Sequence, residues 1–282
     1  MTEIQAYPDP ISQLLAFKEK TTWQDEWIDY QSKFGFTKAD VHELIRLTCD
    51  EENPIDDDDL ENDGSLDLYI DALRALAQVE PETAVNVYLE QLQKFPDNDF
   101  LHEEIDGISR RLGAIAIAPF VKALGDTALD NQVRMTAANG LDEIAQAYPE
   151  SCDACVEALI AQLRHYQNQD DALINSVLVD NLVHLSAVEA VDLLAEVFAN
   201  REIDEMLTGS WAAVQVSLGV KQASDFSPED LKPKIPEKLL QLQKSLFDFV
   251  EKQMSIAPVR PAAKGFGGGI KKQKVKNKKR KS

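Results

Sequence analysis

A repeated spacing of apolar and small residues constrains the fold of this chain more than any other feature. Each copy runs from an apolar residue to a small residue followed by Val or Ile, and ends eight positions later on a large apolar residue. The four copies are Leu76, Ala84-Val85 and Leu92; Ile108, Ala116-Ile117 and Leu124; Ile144, Cys155-Val156 and Leu163; and Leu182, Ala190-Val191 and Phe198. The small residues lie 32, 39 and 35 positions apart. This period is typical of helical hairpins that bury their apolar faces by stacking.

Apolar residues within these segments recur at intervals of three and four, which favours helices over half-buried strands. Glycines and prolines are expected between the helices. The pattern therefore predicts an all-α solenoid of about four helical hairpins, with an irregular helical bundle as the alternative.

The flanks are also expected to be helical. We divide the chain into an N-terminal helical cap with an acidic loop at 50–64, the repeats, C-terminal capping helices and a flexible Gly/Lys-rich tail, with bounds at 1–64, 65–220, 221–256 and 257–282. Capping boxes at Thr37–Asp40 and Ser227–Asp230 predict helix starts. Pro236 is expected to open a last helix with an apolar stripe at Leu239, Leu242, Leu246, Phe249 and Val250.

Aromatic residues at helical spacing mark the N-terminal flank. Trp23, Trp27 and Tyr30 are expected to pack into a cap, with a binding face as the alternative. The same interpretation applies to Trp211 with Val214 and Leu218, in a helix after the fourth repeat.

Several phrases resemble HEAT repeats, and more closely the HEAT-like repeats named after phycobilisome lyases in bacterial proteins. They are FGFTKADVHELIRL (34–47), NGLDEIAQAYPESCDACVEALIAQL (139–163), AVEAVDLLAEVFANREIDE (187–205) and GSWAAVQVSLG (209–219). The resemblance covers about residues 25–220. It implies a HEAT-like α-solenoid and a scaffold-like role, and it brings no catalytic residues with it. By analogy with the lyases, a chromophore-attachment role is the least favoured expectation.

The charge is divided sharply along the chain. The net charge is −20, but residues 260–282 contain ten Lys and Arg and no acid, so residues 1–259 carry −30. An acidic body repels phosphate backbones and anionic lipid, so any contact with nucleic acid is expected through the tail. Three cysteines, the lack of a long apolar run and an acidic N-terminus predict a cytoplasmic protein without disulfides.

The acidic loop holds nine acids within residues 50–63. Asp59, Glu61, Asp63, Gly64 and Asp67 partly match a calcium loop, but the position that needs a bidentate Glu is Ile70. A solvated loop is therefore favoured. The alternative is docking of a basic partner or of the chain's own tail, through Asp56, Asp57, Asp58, Asp59 and Glu61.

Cys152 and Cys155 form a CxxC pattern, which in other settings marks a redox pair or half of a zinc site. Cys155 takes the small-residue position of the third repeat, so we expect a packed core thiol. The four histidines are scattered singly, and no nucleophile motif accompanies them. We therefore expect no metal, no cofactor and no enzymatic activity.

The C-terminal segment KKQKVKNKKRKS is the sharpest functional feature. Its candidate contacts to an anionic partner are Lys271, Lys272, Lys274, Lys276, Lys278, Lys279, Arg280 and Lys281. No aromatic residue lies between the lysines, so binding to RNA would not depend on sequence. An idle solvated tail, pairing with acids and nuclear import are the alternatives.

These observations favour a non-enzymatic scaffold that binds a protein partner through a helical surface. The alternative is a ribosome- or RNA-associated factor anchored by the tail. No membrane contact and no small-molecule substrate are expected.

Overall fold

The protein was analysed as a computed structural model. The structure describes residues 7–17, 27–49, 65–168, 172–235, 239–241 and 245. All regular structure in these residues is helical, which confirms the all-α prediction for the part of the chain described. The tail lysines and the acidic-loop residues lie outside it, so both remain predictions. The chain divides into two compact units, residues 1–234 and 235–282.

Within the described residues 7–17 and 27–49, the N-terminal region contains three short α-helices. They are α1 (Ile11–Leu15), α2 (Tyr30–Phe34) and α3 (Val41–Thr48). The predicted capping box at Thr37 and Asp40 is present and starts a 3₁₀ turn that leads into α3. Tyr30 is fully buried and Trp27 packs against the core, so the core interpretation is confirmed for these two residues. Trp23 lies outside the described residues. The prediction that Trp27 and Tyr30 share a helix is wrong. Asp29 caps α2, and the helix begins only at Tyr30.

Four helix pairs follow, and each copy of the sequence repeat spans one pair. The first pair is α4 (Ser65–Val79) and α5 (Pro81–Lys94); the second is α6 (Asp99–Glu103) and α7 (Ile105–Leu112) with α8 (Ala114–Gly125); the third is α9 (Asn131–Ala147) and α10 (Cys152–Leu163); the fourth is α11 (Ala172–His184) and α12 (Val191–Asn200). We call α4, α7, α9 and α11 the first helices, and α5, α8, α10 and α12 the second helices.

The small residues of the repeat are buried where each second helix begins. Ala84, Ala116 and Cys155 are fully buried and Ala190 almost so. Successive first helices contact one another, from α4 to α7 to α9 to α11, and the second helices α5, α8 and α10 do the same. Small side chains at these positions let the helices approach closely.

The expectation that glycine and proline lie between helices is wrong in α7, which contains Gly107, and in α8 and α9. A Cβ atom on Gly140 of α9 would lie 2.6 Å from a ring carbon of Phe120 in α8, so the absence of a side chain lets these helices cross closely. Pro119 lies inside α8. Its ring nitrogen cannot donate to the carbonyl of Ile115, which weakens the helix locally.

The region after the repeats is less helical than predicted. It contains α13 (Glu205–Thr208) and α14 (Trp211–Ser217), and Val214 and Leu218 are buried as expected. Ser227 and Asp230 form the predicted reciprocal hydrogen bonds, but residues 228–231 make a turn, and residues 232–235 are not helical. Pro233 explains the difference, because it disfavours helical backbone at the preceding residue. Residues 239–241 and 245 are helical, whereas the rest of the predicted Leu239–Val250 stripe lies outside the described residues.

Candidate protein-binding surfaces

The second helices expose apolar side chains at matching positions. Leu89, Val121 and Ile160 each lie five residues after the buried small residue of their own helix. Leu89 and Ile160 are half-buried, and Val121 is 39% exposed. Because α8 contacts both α5 and α10, these residues lie on three adjoining helices.

The exposed face of α8 is apolar along most of its length. Ile115 is 44% exposed, and Ala118 lies between it and Val121 on the solvent side. Leu89, Ile115, Ala118, Val121 and Ile160 together are called the apolar patch. A helix with apolar residues around its whole circumference is normally buried on every side. Only one side of α8 is buried, so its other apolar side chains remain exposed to solvent.

The first helices contact one another through polar side chains. Arg74 of α4 is fully buried and donates to Glu104, the residue before α7, over 2.5 and 3.1 Å. Arg110 of α7 donates to Glu143 of α9 over 2.9 Å. Asn181 of α11 donates to Asn139 of α9 over 3.2 Å. These hydrogen bonds join successive helix pairs in one fixed alignment.

Where α7, α9 and α11 contact one another, several titratable side chains of these three first helices lie close together. His184 of α11 donates from Nδ1 to Oδ2 of Asp142 in α9 over 2.8 Å. The surrounding groups are Asp106, Arg110, Glu143 and Asp180. We call these six residues the polar ledge.

The electrostatics of the polar ledge follow from its crowded carboxyl groups. Burial raises the pKa of Asp142, against the hydrogen bond from His184, and Asp106 raises it further. Burial and the charge of Asp106 also raise the pKa of Glu143. The hydrogen bond to Asp142 raises the pKa of His184, and the charges of Asp180 and Glu143 act in the same direction. His184 therefore holds its proton more tightly than a free imidazole does.

The CxxC cysteines lie at the start of α10. Cys155 is fully buried, as predicted for a core thiol, and burial raises its pKa to about 11. Burial also raises the pKa of the half-buried Cys152. A raised pKa keeps both sulfurs as thiols, which are poor nucleophiles. No group of three or more His, Cys, Asp and Glu side chains is placed to hold a metal ion in the described part of the chain.

A groove of about 830 Å³ lies between α12, α14 and the segment that follows them. Phe198 and Trp211 form part of its wall, with ring centroids 5.3 Å apart. Glu205, Asp230 and Lys234 also line the groove. Lys234 forms an ion pair with Glu205 across 3.3 Å, so this part of the groove is neutralised internally.

Sequence reasoning missed both surfaces. The polar partners Arg110 and Glu143 are 33 positions apart, and Asp142 and His184 are 42 apart, close to the repeat spacing. Acidic and basic residues separated by about one repeat length are the sequence signal that indicates these pairs. The residues selected from the sequence, in the acidic loop and the tail, lie outside the described residues.

Comparison of the chain with protein-family models, with curated proteins and with solved structures gives no match. Among the described residues, every helix is too short or too polar to cross a bilayer.

Proposed function

We propose that the protein is a non-enzymatic, cytoplasmic scaffold that binds a protein partner, with its four helix pairs stacked as a HEAT-like α-solenoid. The contacts of α4, α7, α9 and α11 in series, and of α5, α8 and α10 in series, support this stacking. Such stacking produces extended surfaces rather than a deep enclosed site.

The apolar patch carries the proposal. Exposed apolar side chains that are contiguous over several helices mark protein-binding surfaces in soluble proteins. Ile115 and Val121 are both more than one-third exposed on the same helix. The half-buried Leu89 and Ile160 lie at the matching position of the two helices that α8 contacts. A partner would bury these side chains and gain roughly 25 cal/mol for each Å² of apolar area removed from water.

The test is a tagged pulldown from native lysate with full-length protein, with and without nuclease. Wild type is expected to capture a stoichiometric, nuclease-resistant protein. The double variant Ile115→Ser with Val121→Ser is expected to lose it, because the patch becomes polar. Leu173→Ser is a matched control, since Leu173 is also 39% exposed but lies on α11. Capture that is equal in the patch variant and wild type, or absent in both, would overturn the proposal.

The second candidate function is association with a ribosome or RNA through the tail. The ten basic residues within 260–282, which include no acid, favour it. Eight cations engaged on a single strand would give a salt slope of at most about −5.6. RNA recovered with the full chain should disappear from pulldowns with residues 1–259, and its recovery should fall steeply with salt. RNA that stays with residues 1–259 would contradict this candidate.

A further inference from the structure

We draw no further inference here: the strongest candidate, the aromatic-walled groove of about 830 Å³ between α12, α14 and the segment that follows them, pairs Glu205 with Lys234 and Glu229 with Lys232 internally, and nothing in the structure shows what covers it.

Discussion

The first and second helices of the same pairs differ in the polar side chains that they bring to their neighbours. First helices join through polar side chains, of which the buried pair Arg74 and Glu104 is the extreme case. The second helices bury small residues such as Ala116 near their starts, and α8 leaves Ile115 and Val121 more than one-third exposed. Polar pairs form only when their partners are aligned, whereas apolar surfaces tolerate sliding. The polar pairs of the first helices therefore constrain how the helix pairs align.

Disrupting a polar contact between first helices should have the largest effect on the free energy of unfolding. Arg74→Met leaves Glu104 buried without its cation, so we expect the free energy of unfolding to fall by about 3–5 kcal/mol. Urea denaturation followed by circular dichroism measures it. Arg74→Met combined with Glu104→Leu removes both charges and should recover most of the loss. A double variant as unstable as the single one would show that packing, not charge, explains the effect.

Disrupting the packing of a small residue in a second helix should lower the free energy of unfolding by less. Ala116→Leu places a larger side chain at a fully buried position near the start of α8, and we expect the free energy of unfolding to fall by about 1–3 kcal/mol. Ala118→Leu is the control, because Ala118 lies two residues away on the exposed face of the same helix. Its expected change is within about 0.5 kcal/mol. Thermal denaturation of both variants distinguishes a packing effect from a change in helix propensity.

The smallest effect is expected from the ion pair between the exposed His184 and the buried Asp142. The folded pKa of His184 is raised, so its contribution to stability is complete below the unfolded pKa of about 6.5 and disappears as pH rises through the folded pKa. His184→Asn should lower the free energy of unfolding by about 0.5 kcal/mol at pH 6, a value reduced for solvent screening. At pH 9 that difference should vanish. A loss of equal size at both pH values would mean that charge plays no part.

The helix pairs could be predicted from the sequence because the residues that recur in the repeat are the buried ones. Ala84, Ala116, Cys155 and Ala190 recur at a fixed position, and each is buried where its second helix begins. The helix predicted after Ser227 does not form, because Pro233 disfavours helical backbone at the residue before it and outweighs the capping box. The polar ledge was missed because acids are abundant, so a pair such as Asp142 and His184 stands out only once the helices are aligned. Exposure of Val121 could not be predicted either, since apolar spacing does not show which face stays uncovered.

The hydrogen bonds between first helices also bear on how the chain folds. Arg74 and Glu104 are 30 positions apart, Arg110 and Glu143 are 33, and Asp142 and His184 are 42, in a chain of 282 residues. Contacts this short in sequence require little loop-closure entropy, and such chains fold fast. In the proposed solenoid, any two neighbouring helix pairs would begin folding, with the remaining pairs added in either direction. Native-state hydrogen exchange should then show opening in blocks of one helix pair rather than in a single global event.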